Sequence, residues 1–171
     1  SRRIDPRNST VMVWGAVNAG TAANAIPQTG TLAGTIRTAS RDTWEGLESL
    51  VEEVISSLLA PLNLDHTLQY RRGVPPVVNE EISTRILTHA IEAVGPDVLC
   101  DTRQSGGGED FSWYLEEVPG AMARLGVWNG RGPQLDLHQP NFDIDERAMA
   151  VGVRVMVNIV DQAAQVSNQG R

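Results

Sequence analysis

The feature that most constrains this chain is a change of hydrophobic period between residues 30 and 59. From Gly30 to Ala39, Leu32, Gly34, Ile36 and Thr38 alternate with Thr31, Ala33, Thr35 and Arg37. That two-residue repeat is a strand, with Arg37 on the face opposite Ile36. From Asp42 the repeat lengthens. Trp44, Leu47, Leu50, Val51, Val54, Ile55, Leu58 and Leu59 recur at helical spacing, with Glu45, Glu48, Glu52 and Glu53 on the other face and Pro61 closing the run. Upstream, the β-branched and aromatic cluster Thr10 to Gly15 reads as a strand, and Thr67 to Arg71 reads as another after the helix. Strand, strand, helix, strand is a split β-α-β unit of the ferredoxin-like kind without its first strand and helix.

Gly73-Val74-Pro75-Pro76 marks a boundary, because adjacent prolines continue neither a helix nor a central strand. It separates residues 1–74 from 75–171. In the second part, Asn79 is expected to cap a helix reaching about Val94, with Ile82, Ile86, Leu87, Ala90, Ile91 and Val94 on its apolar face and Gly95-Pro96 as its stop. Val98 to Cys100 reads as a short strand, and Gly106-Gly107-Gly108 leads into a helix containing Phe111 and Tyr114. Ala121 to Trp128 reads as a further strand, and Asp145 opens a last helix reaching about Ala164. Alternating strands and helices suit an α/β layer.

Charge narrows the function. Fourteen basic residues against 21 acidic ones give a net charge of -7, which disfavours nucleic acid and anionic membrane as partners. Every basic residue is Arg, so lysine chemistry such as a Schiff base is excluded within the chain. The single Cys100 cannot form an internal disulfide, no run nears the ~20 apolar residues of a membrane span, and Ser1 to Pro6 carry no signal-peptide core. A cytoplasmic location is expected. The first residue is not Met, so the chain reads as processed or as a piece of something longer.

Three constellations could carry chemistry. In Gly20 to Pro27 followed by Gly34-Thr35-Ile36-Arg37, Asn24 and Arg37 could grip a carboxylate through an amide donor and a planar guanidinium fork. On chemistry alone a turn-stabilising Asn and a solvated strand Arg are the commoner case, because such residues are ordinary turn and surface types. In Ser105-Gly106-Gly107-Gly108-Glu109-Asp110-Phe111, three glycines before a helix start allow close backbone approach to a ligand, or form a flexible loop with acids complementing the helix dipole. Glu109 and Asp110 are adjacent and cannot face one point of a helix. In Leu137-His138-Gln139-Pro140-Asn141-Phe142-Asp143-Ile144-Asp145-Glu146, His138 has the chemistry of a metal ligand, although a lone His is more often structural or solvated than a ligand. His66 and His89 sit in no motif and read as surface.

Taken in order, Asn-x-Ile-Pro, Gly-Thr-x-Arg, Gly-x-Glu-Asp-Phe, Val-Pro-Gly, Leu-Gly and Leu-His-x-Pro-x-Phe-Asp-x-Asp-Glu resemble the C-terminal half of the dinuclear-metal aminoacylase and carboxypeptidase superfamily. The nearest branch hydrolyses N-acyl amino acids and includes aminoacylases, hippurate hydrolases and indole-acetyl-amino-acid hydrolases. The resemblance implies the remainder of a ferredoxin-like lid and dimerisation domain over 1–74, then the C-terminal part of an α/β metallohydrolase catalytic domain over 75–171. It implies that His138 is the family's last metal ligand, that Asn24 and Arg37 reach the substrate carboxylate, and that Gly107 and Gly108 line the substrate pocket. It also implies two divalent metals per complete site (zinc, or manganese, cobalt or nickel), an N-acyl amino acid substrate, and a homodimer formed through the lid. The family's other ligands and its general base belong to an upstream N-terminal segment with no counterpart here, so no catalytic residue is assigned. The alternative is a non-catalytic remnant or companion subunit that dimerises or binds ligand without turnover.

Overall fold

The computed structural model describes residues 3–102 and 105–169. The chain forms two compact units: Ser1–Val78 with Gln104–Tyr114, and Asn79–Arg103 with Leu115–Arg171.

In the first unit, β1 (Val11–Ala19) and β2 (Gly30–Arg37) pair antiparallel, with Val11 opposite Arg37 and Ala19 opposite Gly30. The register slips between Trp14 and Ala16, which marks a bulge at Gly15. Gly34 lies against this irregularity. A Cβ there would stand 2.5 Å from the Val13 carbonyl oxygen and 2.8 Å from the Trp14 ring, so only glycine allows the close approach. Ile36 is half-buried and Arg37 exposed, as alternation requires. Most of the hairpin is open on both faces, with Val13, Trp14, Val17 and Leu32 exposed.

Helix α1 (Arg41–Leu59) starts where the period changes, and the Ser40 hydroxyl caps it by accepting from the Thr43 N–H at 3.2 Å. Its first turns bury Trp44, Leu47 and Val51, with Leu47 only 1% exposed. The Trp44 ring organises this core. The guanidinium carbons of Arg41 and Arg72 each lie 5.0 Å from its centroid, and Trp113 meets it edge-on at 6.2 Å. Through Trp113, the short helix α2 (Phe111–Tyr114) packs with the first unit. A 3-10 turn, Ala60–Leu62, ends α1 at Pro61, and Asn63 takes a left-handed φ of 52°.

In the second unit, α3 (Glu81–Glu92) packs on α4 (Arg147–Gln169). Ala90 is fully buried, and its carbonyl accepts a hydrogen bond from the Asn158 amide at 3.0 Å. On α4, Ala148, Val151, Val155 and Ile159 form the covered side, while Met149, Val153, Met156, Val157 and Val160 stay exposed. Both stripes keep helical spacing, so α4 is apolar on two sides.

The structure differs from the sequence reading in two ways. Asn79 is not the cap of α3. The Glu80 carboxylate takes that place, accepting from the Ile82 and Ser83 N–H groups at 2.8 and 2.7 Å, while the Asn79 side chain bonds both backbone groups of Met122. In addition, residues 67–71, 98–100 and 121–128 form no strand. Their patterning suits extended backbone, but a strand needs a neighbour for its N–H and C=O groups, and among the described residues only β1 and β2 supply one another. Among the described residues, no helix is long and apolar enough to cross a membrane.

Candidate functional site

Arg37 closes β2, where strand alternation sends its side chain to the exposed face. Its Nη1 donates to the Gly106 carbonyl oxygen at 2.8 Å, a bond spanning 69 residues. The structure therefore joins two of the three constellations, the strand arginine and the glycine loop. The loop is also held from within and behind. The Gly107 N–H donates to the Ser105 hydroxyl at 3.1 Å, and a Cβ on Gly108 would lie 2.9 Å from Val74 Cγ2. Gly107 and Gly108 are themselves exposed, so their backbone is open to a ligand.

Asn24 sits exposed in the loop between β1 and β2, and among the described residues its side chain has no hydrogen bond, to Arg37 or to anything else. Glu109 is half-buried and its carbonyl starts α2 by accepting from the Ser112 N–H and hydroxyl, whereas Asp110 is exposed.

His138 belongs to the second unit, in an exposed turn with φ of 66°. Left-handed backbone is uncommon outside glycine, but His adopts it more readily than bulky or branched residues. The chain after it is pinned by bonds from the Phe142 N–H to the Gln139 carbonyl and from the Asp145 N–H to the Val127 carbonyl. The Asp145 carboxyl is held below the usual carboxylate range by the Arg147 side chain, then by the Arg147 N–H. His66 and His89 are exposed, His66 with its ring 3.3 Å from the Ser56 hydroxyl.

Metal chemistry can be tested against these residues. Among the described residues, no three His, Cys, Asp or Glu side chains are grouped so as to hold an ion. A catalytic centre takes about three protein ligands per metal, so the residues present do not fit a dinuclear site on their own.

Sequence reasoning missed Gly106 as the partner of Arg37 and Val74 as the support behind Gly108, since neither contact leaves a local pattern. It also missed a shallow depression lined by Asn129, Arg131 and Arg147, polar residues of ordinary surface type.

The fold is of the mixed α/β kind. It superposes on the YXEP protein of Bacillus subtilis, described as a dinuclear metal binding peptidase from the M20 family, with a TM-score of 0.78 and 26% identity over 88% of this chain and 41% of that one. Residues 8–162 match peptidase family M20/M25/M40, and the chain belongs to that family. It is 59% identical to a protein of Rhodococcus jostii (strain RHA1) named as a glutamate–cysteine ligase, over 91% of this chain and 20% of that protein. It is 32% identical to the N-acetyl-L-cysteine deacetylase of Bacillus subtilis (strain 168), over 87% of this chain and 35% of the enzyme. The chain thus spans between 20% and 41% of the length of these proteins.

Proposed function

We propose that the chain is part of a metal-dependent amidohydrolase that cleaves N-acyl amino acids or similar small amides. The observation that carries this reading is the family match across residues 8–162, together with relatives named as deacetylases. In this reading residues 1–74 are the later part of the lid, and residues 75–171 are the end of the catalytic domain. His138 supplies one metal ligand, Asn24 and Arg37 receive the substrate carboxylate, and Gly107 and Gly108 line the pocket. The remaining ligands and the base come from an upstream segment of the same enzyme. The exposed stripe of α4 and the open hairpin support such a partner, because apolar faces of this kind are normally covered. A homodimer through the lid hairpin and a cytoplasmic location belong to the same proposal.

Two of the relatives' names support one substrate class within this reading. One is named for joining glutamate to cysteine and another for deacetylating N-acetyl-L-cysteine; the first chemistry forms an amide on the cysteine nitrogen and the second breaks one. We therefore infer an N-acyl cysteine substrate, with acetyl and glutamyl as the acyl groups to test first. The test uses the enzyme containing this chain and its upstream segment, assayed on N-acetyl-L-cysteine, γ-glutamyl-cysteine and N-acetyl-L-alanine. The cysteine amides should turn over fastest, and His138→Ala should remove metal and activity together while His89→Ala removes neither. Unchanged metal content and turnover in the His138 variant would defeat the assignment.

A further inference from the structure

We propose that Arg37 is a positioning residue that braces the glycine loop, in addition to any contact it makes with substrate. The loop's course is set by contacts at both ends. Behind it, Gly108 packs against Val74 so closely that no Cβ fits, and beyond it α2 is anchored through Trp113 on Trp44. Between these anchors lies Gly106, whose carbonyl takes one N–H of Arg37. A backbone of consecutive glycines has little conformational preference of its own, so a donor on one of its carbonyls limits its freedom.

Guanidinium has five N–H donors, and among the described residues this is the one hydrogen bond Arg37 makes. Nε and Nη2 remain available for a carboxylate while Nη1 holds the loop. One side chain thus ties the strand that would meet a substrate carboxylate to the loop that would line its pocket. The consequence for turnover rests on the amidohydrolase reading. The brace itself does not.

The test is limited proteolysis of the enzyme containing this chain and its upstream segment, with an endoprotease that cuts after Glu. The first fragments are quantified by mass spectrometry, and the cut after the half-buried Glu109 is compared with the cut after the exposed Glu117. In Arg37→Ala the Glu109 to Glu117 cleavage ratio should rise about tenfold, the effect of losing one charge-assisted hydrogen bond. Arg37→Lys retains a cationic donor, and its ratio should stay within about twofold of the parent. An unchanged ratio in Arg37→Ala, equal acceleration at both sites, or a lysine variant as labile as the alanine one would each overturn the brace. The ratio is independent of turnover. Failure of the amidase assay would therefore refute the proposed function and leave the brace standing.

Discussion

At the scale of single residues, the two duties proposed for Arg37 are separable, and substrate choice distinguishes them. In the enzyme complete with its upstream segment, Arg37→Ala should lower kcat/KM by about ten- to a hundredfold on a substrate with a free carboxylate, the range for a lost charged hydrogen bond. On the methyl ester of the same substrate the loss should be smaller, since only loop order is affected. Asn24→Ala should act in the same direction more weakly. Equal losses on acid and ester for both variants would count against carboxylate recognition. The strand's alternation already put Arg37 on an open face, and the glycine run already suggested close backbone approach. That the two meet was illegible, because the bond joins positions 69 apart and is made to a backbone carbonyl that any residue carries. His138 presents the opposite case. Its motif is readable, but its turn and left-handed backbone alone do not make a metal centre.

At the scale of elements, the start of α3 offers a test with a definite sign. The Glu80 carboxyl is held below its usual range by the Ile82 and Ser83 N–H groups, then by the Ser83 hydroxyl. Its folded-state pKa is therefore below the unfolded one. The stabilisation is complete above the unfolded value and is lost as pH falls through the folded value. Glu80→Gln should therefore melt at a lower temperature than the parent near pH 7, and the gap should narrow as the pH falls into the acid range below the ordinary glutamate value. A gap of the same size at neutral and acid pH, followed by circular dichroism, would show that charge plays no part in the cap. The two long amphipathic patterns, α1 and α3, were plain from the sequence because a period of 3.6 is a property of the segment itself. The extended runs at 67–71, 98–100 and 121–128 were over-read, because a strand depends on a neighbour that no local pattern supplies. Glu80 was passed over because Asn is the commoner cap and its carboxylate contacts depend on the backbone turn before α3.

For the whole molecule, family membership and incomplete span lead to one expectation. The 171-residue chain alone should bind metal poorly, show no turnover and self-associate through its uncovered apolar faces. Mixing it with the upstream segment should raise metal uptake and amidase activity together and reduce self-association. Metal analysis, a turnover assay and size-exclusion chromatography read all three. Two metals per chain with measurable turnover by the chain alone would mean that it contains ligands other than His138.

The first unit has a further consequence for how the protein is made. Its chain leaves after Val78 and returns at Gln104–Tyr114, so the unit cannot be finished while only its opening stretch has emerged from the ribosome. Arg37 waits 69 residues for Gly106, which is roughly 3 to 14 seconds of synthesis at ordinary translation speeds. For that interval the Trp44 face of α1 stands without Trp113, and a nascent chain with such an opening is a natural client for chaperones. Slowing translation just before the returning segment should lengthen that exposure and lower the yield of folded protein.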